Sequence, residues 1–308
     1  LPLAETLPIV LDTSWGFPRT RRPLDAIMVV IVGCIIVIGS VLTGFTMAGG
    51  HMHSLIHPSE IVTIGGAALG GLVIMSPTKV IKDLIRAVIQ SLKGSPFNKA
   101  MYLELFRLLN SFSRLIRRDG LLAMEAHLTS PKESTIFQAS PKILNNHHVL
   151  DFIVGALNLI LDSATPNLHA LLEEEIKVYE KEHHAAVAAL GKTADALPGF
   201  GIVAAVLGIV VTMGAIGGPV EEIGHKVGAA LVGTFLGILL SYGFFAPLAG
   251  RLEHLGEEET TFFRVIAGAV VAISEGARAN DVVSRACRSV GTAVRPNQME
   301  LTQLFNEK

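Results

Sequence analysis

The chain has 308 residues, half of them hydrophobic and 17% charged, with a net charge of −2. A soluble domain of this size carries about a quarter charged residues, so the deficit points to a membrane protein with a polar domain attached. The near-neutral balance gives no basis for a nucleic-acid partner. Cys34 in an apolar run and Cys287 near the C-terminus supply neither a disulfide framework nor a metal-ligand spacing.

In chain order, residues 1–23 read as a polar N-terminal cytoplasmic extension. They are not a secretory signal, because Arg19, Arg21 and Arg22 follow the short apolar patch instead of preceding it. The first apolar run, 24–45, exceeds the roughly 20 residues needed to cross a membrane. The second, 61–75, is short and reaches that length only when extended back toward Leu55, which puts Pro58 and Glu60 at the interface. The third and fourth are 197–216 and 227–248. A fifth apolar stretch, 262–274, contains Arg264 and falls short of a span; it is expected to be an amphipathic or buried helix on the cytoplasmic side. The expected fold is an all-α integral membrane protein with four transmembrane helices. Its divisions are 1–23, the span pair 24–77, a helical cytoplasmic domain 78–196, the span pair 197–249, and a C-terminal helical region 250–308.

The middle segment is polar and helical in pattern. Leu105, Leu108, Leu109, Phe112, Leu115 and Ile116 recur at helical spacing. The string "SPKES", Ser130 to Ser134, reads as a helix start with proline in its first turn. A further amphipathic helix stops before Pro166, and an acidic-then-basic helix runs up to the third span. Lysine and arginine concentrate on one side of the spans: Lys79, Lys82, Arg86 and Lys93 follow span two, Lys177, Lys181 and Lys192 precede span three, and Arg251 follows span four, while the loop 217–226 on the other side has only Lys226. The loop 46–60 has none, so both termini and the middle segment are expected in the cytoplasm.

Spans that move an ion by themselves usually carry Asp, Glu, His or Arg inside the membrane. Here Asp25, Glu60 and Asp195 sit at span edges, where they read as solvated anchors, and the interior polar groups are Thr212, Thr234, Ser241 and Tyr242. Hydroxyls do not hold and release a proton near neutral pH. A protein of this kind that uses an ion gradient needs its titrating carboxylate from another chain. Small residues stripe the spans at packing distance: Gly201, Ala205, Gly208 and Thr212; Gly233, Gly237 and Ser241; and Gly65, Gly66, Ala67, Ala68, Gly70 and Gly71. Each stripe serves either packing within the chain or a shared groove for another helix.

With its span order and orientation, the chain from Leu24 to about Asn280 resembles the MotA family, the A subunits of bacterial flagellar stators in the MotA/TolQ/ExbB superfamily. The strings "LPGFGIVAAVLGIV", "VGTFLGILLSYGFFAPLA", "PKES" and "LDFIV" carry the resemblance. It implies a multi-pass protein of the bacterial inner membrane that forms a homopentamer around two B subunits of the MotB type. Each B subunit brings one helix with an essential aspartate, and ion flow through it turns the A ring against the rotor. By the same resemblance, Pro198 and Pro247 match the prolines beside the ion path, and Thr234 matches a threonine facing the aspartate. Ala205 stands where sodium-driven relatives carry threonine, which favours H+ over Na+ as the coupling ion. Arg117 and Glu125 match the charged pair that contacts the rotor switch protein (FliG type). Arg118 and Asp119 depart from that pattern, so either arginine could serve.

Eleven histidines stand in the chain. His51, His53 and His57 in "HMHSLIH" lack the cysteine or carboxylate context of a metal site, and the pairs His147–His148 and His183–His184 are expected on the surface. No metal or cofactor is expected. No nucleophile–base pair or phosphate loop is present, so no enzyme is expected. The alternative within the superfamily, an ExbB/TolQ-type energiser of outer-membrane processes, typically has three spans and an external N-terminus. A self-contained channel or transporter predicts charged residues within its spans or internal repeats.

Overall fold

The computed structural model describes residues 23–162, 167–214 and 216–306, with side chains from residue 27 onward. The extension 1–23, all but its last residue, and the side chain of Asp25 lie outside the described residues. Every regular element among those described is helical. Helix α1 (Pro23–Met47) and helix α2 (Pro58–Met75) are joined through a 3₁₀ turn, Met52–Leu55. Helix α3 (Thr78–Lys93) leads into α4 (Lys99–Asp119), the short helices α5 (Glu125–Thr129), α6 (Thr135–Gln138) and α7 (Pro141–Leu144), and α8 (His147–Leu161).

Two rods then dominate. Helix α9 (Leu168–Met213) runs 46 residues without interruption, about 69 Å at 1.5 Å per residue, against a hydrocarbon core of about 30 Å. It joins the acidic helix of the polar domain to the third span through Pro198. The second rod is α10 (Val220–Leu240), a single π-turn at Ser241–Phe245 and α11 (Ala246–Ser274). Among the described residues, four segments are long and apolar enough to cross a membrane: Ile27–Met47, Met52–Met75, and stretches of the two rods. The membrane bundle therefore has a loop end, where α1 turns into α2 and α9 into α10, and a domain end from which both rods project.

Three apolar clusters follow one another along the rods. In the polar domain, Phe106, Phe112, Phe137 and Phe152 are buried with Phe262 and Phe263 of α11. Ring centroids lie 5.1 Å apart for Phe97–Phe262 and 4.8 Å for Phe152–Phe263. The helical repeat of α4 is realised, with Leu105, Leu108, Leu109 and Phe112 inside and Leu115 and Ile116 partly so. The stretch 262–274 is a buried helix end. Helices α12 (Ala279–Arg288) and α13 (Gln298–Asn306) close the same core with Val282, Val283, Leu301 and Leu304. Residues 250–306 thus complete the core begun by 97–160, and the helix passes position 250 unbroken.

A neck cluster of Leu84, Ala186, Val187, Leu190, Ala249 and Leu252 ties α3 to both rods. There the Arg251 guanidinium donates to the carbonyl of Ser91 at 3.0 and 3.2 Å, satisfying an acceptor that the last turn of α3 leaves open. The third cluster, Ile64, Ala68, Leu197 and Ala204, lies in the membrane bundle. Helix α1 is peripheral, with Met28, Ile31, Ile35 and Ile36 exposed.

Local capping corrects one expectation. "SPKES" does not start a helix at Ser130: that stretch is a turn, with the Ser130 carbonyl accepting from Glu133 N and Ser134 N at 3.0 and 3.1 Å. The helix begins after Ser134, whose Oγ accepts from Phe137 N at 3.4 Å and lies 2.8 Å from His127 Nδ1. A serine is the favoured N-cap, and here the second serine takes the role.

Candidate ion path and partner surfaces

The third and fourth spans meet at backbone contact. A Cβ built on Gly201 would lie 2.9 Å from the carbonyl oxygen of Gly233 and 3.2 Å from the Cα of Thr234. On Gly208 it would lie 2.6 Å from the Cβ of Ala230. Thr212 turns its hydroxyl back to the Gly208 carbonyl at 2.7 Å. The small-residue stripes of α9 and α10 are therefore spent on each other, as close packing in lipid requires, and do not form an open groove. On α2 the outcome differs: Ile64 and Ala68 are buried against the rods, while Cβ atoms at Gly65, Gly66 and Gly70 would meet nothing within 4 Å.

Of the residues singled out along the path, Ala205 is 9% exposed on the seam face of α9, and Thr234 is half-buried on α10 beside Gly201. Pro198 is half-buried inside α9. Pro247 is exposed at the start of α11, two residues past the π-turn. A proline has no N–H to donate and crowds the carbonyl four residues back, here Gly243; a π-turn relieves that crowding and is common at functional positions. Leu197 and Phe200 pack with Leu240 and Phe245, so the two proline-bearing segments share one cluster. The π-turn had no clear sequence signal except Pro247 itself.

Glu60 departs from expectation. Its position at the edge of the apolar run predicts a solvated anchor, yet it is 7% exposed. Its Oε2 is buried with no hydrogen-bond partner and lies 2.6 Å from where Gly233 would carry a Cβ. Gly233 makes the room, and glycine spacing on α10 is the one sequence signal that could have located this pocket. One turn earlier, His57 has a buried, unpartnered Nδ1 and lines an open pocket of about 590 Å³ with Pro219, Glu221, Glu222, His225, Lys226 and Ala229. Asp195 is exposed. Among the described residues, no group of three or more His, Cys, Asp or Glu side chains could hold a metal ion.

At the far tip of the polar domain, α4 ends at Gly120, whose φ of +86° suits a residue without Cβ. Arg117, Arg118, Asp119 and Glu125 are all exposed around this turn, and Leu122 is 79% exposed among them. Arg118 closes on Asp119 through contacts of 2.7 to 3.0 Å. That hydrogen bond holds the Asp119 carboxyl below its ordinary value and the guanidinium above its own. Arg117 has no ion pair among the described residues, which separates the two arginines.

At the neck, His183 is half-buried instead of exposed: its Nε2 lies 2.9 Å from the Leu252 carbonyl and its ring covers Gly256. His147, His148 and His184 are exposed as expected. Glu259 faces the same space, and desolvation raises its carboxyl above the ordinary range, partly offset by His148 and His183. The Lys79–Glu182 pair closes the rim.

An all-helical bundle with two rods and an uncharged glycine seam defines a class. Residues 145–264 match the MotA/TolQ/ExbB proton channel family, and residues 31–120 match the motility protein A N-terminal family. Motility protein A of Salmonella typhimurium is 36% identical over 278 residues, 90% of this chain and 94% of that protein. The chain belongs to the motility protein A family. Its fold is similar to the C. jejuni MotAB structure, with a TM-score of 0.71, 22% identity, and coverage of 88% of this chain and 99% of that one. The flagellar MotAB stator complex from Bacillus subtilis is also similar, with a TM-score of 0.63, 23% identity, and coverage of 83% and 92%.

Proposed function

We propose that this chain is the A subunit of a flagellar stator, which assembles with a B subunit and turns the rotor with an ion gradient. The observation that carries the reading is the 36% identity to Salmonella motility protein A across nine-tenths of the chain. Five copies surround two B-subunit helices in the bacterial inner membrane, with both termini and the polar domain in the cytoplasm. The side-specific lysines and arginines support that orientation.

The mechanism follows from what the spans lack. Rods α9 and α10 offer an uncharged wall whose Thr212 hydroxyl is spent on the Gly208 carbonyl, so the aspartate of the B helix carries the ion. Neutralising that carboxylate against an apolar wall removes a large desolvation cost and changes which helix contacts are preferred, biasing a two-position packing. Thr234 faces the carrier, and Pro198 and Pro247 set where each rod yields. The tip with Arg117 and Glu125 passes the motion to the rotor switch protein. Protons are the coupling ion, because Ala205 withholds the oxygen a hard cation wants as one of several ligands.

The test is a clean deletion in the source bacterium, scored for filaments and swimming. The expected result is paralysed cells with intact flagella, rescued by the intact gene and not by Pro198→Leu. Normal swimming in the absence of any second stator gene would overturn the reading and favour an outer-membrane energiser.

A further inference from the structure

Helix α3 begins only two residues, Ser76 and Pro77, after span two ends. In its first turn Lys79 pairs with Glu182 of α9, and near its end the Ser91 carbonyl accepts from Arg251 of α11. Those two rod residues are level with each other, because His183 meets the Leu252 carbonyl at 2.9 Å. Helix α3 therefore crosses the rods at one height, along the domain end of the membrane bundle. Its inner side is spent on the neck, where Leu84 is buried and Ala87 and Val88 pack beside it.

The outer side has no such partner. Ile85, Ile89 and Leu92 are 55%, 49% and 40% exposed, and at about 100° per residue they fall within about 60° of arc. Lys82, Lys93, Arg86 and Lys79 occupy roughly the next 60°, all of them exposed. Arg86 is engaged by Asp83 at 3.3 Å and Lys79 by Glu182, whereas Lys82 and Lys93 are in no ion pair among the described residues. An apolar stripe edged by a basic ridge, on a helix leaving a span, fits a membrane surface: the stripe enters the acyl boundary, and lysine stems lie over it with their ammonium groups among the headgroups. The exposed Val73 and Ile74 that end span two carry the lipid-facing surface up to this helix. Positive charge beside that surface selects negative headgroups.

We propose that the outer face of α3 is a binding site for anionic phospholipid of the adjoining leaflet, with headgroups at Lys82 and Lys93 and acyl chains over Ile85, Ile89 and Leu92. The two lysines stand about 16 Å apart along the axis, so each takes its own headgroup. By the orientation proposed above this is the cytoplasmic leaflet; the site itself does not depend on that orientation.

Photolabelling of the full chain with its B subunit in vesicles tests the site. The probe is phosphatidylglycerol with a diazirine on its acyl chain, and the control is phosphatidylcholine carrying the same group. An ammonium group near an anionic surface is worth about fivefold in association. Adducts on residues 85–93 are therefore expected, enriched about fivefold for the phosphatidylglycerol probe, and brought to parity by Lys82→Gln combined with Lys93→Gln. Equal labelling by both probes in the wild type, or an enrichment that survives the double substitution, would overturn the proposal. If the double variant does not assemble, the wild type is labelled as ionic strength rises from about 0.01 M to about 1 M, which shortens the screening length from about 30 Å to about 3 Å. The enrichment must then fall, and an enrichment indifferent to salt refutes the site equally. A segment that takes neither probe and cross-links to another copy of this chain would give the face to that copy and remove the lipid from it.

Discussion

A Cβ on Gly237 would sit 2.6 Å from the carbonyl oxygen of Leu197, the residue before Pro198. Both sides of that contact are backbone, so neither can yield by turning a side chain. Gly237→Ala must push the rods apart where α9 carries its proline, and overpacking of this kind costs about 1–3 kcal/mol. A lowered melting temperature of the lipid-reconstituted protein, with swimming lost, is the expected result; unchanged melting would refute the close seam. Gly66→Ala is the control, because its added Cβ meets nothing within this chain and alanine favours a helix over glycine by about 1 kcal/mol. Swimming lost in Gly66→Ala with melting retained would mark α2 as the surface another chain occupies.

The two tip arginines predict different phenotypes. Arg118 is held by Asp119 at 2.7 Å, so the pair presents little net charge, while Arg117 is in no ion pair among the described residues. Arg117→Glu is expected to abolish torque in tethered-cell assays, and Arg118→Ala to leave most of it. Asp119→Ala frees Arg118 and should partly restore an Arg117→Ala strain. Because contacts of exposed charges are steered electrostatically and screened by salt, the Arg117→Ala defect relative to wild type should narrow as intracellular ionic strength rises. Equal defects for Arg117 and Arg118 would remove the distinction.

The coupling ion is separable from assembly. Swimming is expected to collapse with a proton uncoupler and to ignore sodium replacement by potassium. Ala205→Thr, which adds an oxygen at the buried seam face, should introduce a sodium dependence. Wild-type speed that tracks external sodium would overturn the proton assignment.

What the sequence made legible follows from which interactions are local. The helical repeat from Leu105 to Phe112 reports a buried face directly, and the uncharged runs report lipid. The stripes of Gly201, Gly208, Gly233 and Gly237 told of close approach but not of which helix approaches, since pairing is a tertiary choice. Glu60 was misread because its neighbours in sequence, Pro58 and His57, mark a helix start, whereas its burial comes from Gly233, 173 positions away. His183 was misread for the same reason: the space that takes its ring is made by Gly256. The site residues Pro198, Ala205, Thr234, Pro247, Arg117 and Glu125 came from family resemblance, because no local physics distinguishes a working proline or threonine from a structural one.

The neck supplies a stability prediction with a definite sign. Burial beside Thr260 and Phe263 raises Glu259 above its ordinary 4.5, and burial raises Glu175 in the same direction. A carboxyl whose folded value exceeds its unfolded one binds more protons in the native state, so stability is present below the unfolded value and is lost as pH rises through the folded one. Melting temperature of the wild-type protein should therefore carry a declining component from about pH 4.5 upward. Glu259→Gln should raise the melting temperature at neutral pH and reduce that slope, with the part due to Glu175 remaining. The histidines work against this: His148 and His183 partly offset the burial, so His183→Phe should steepen the decline. A Glu259→Gln protein that melts lower than wild type at neutral pH would show that the carboxylate is stabilised by its neighbours and that desolvation is not the dominant cause.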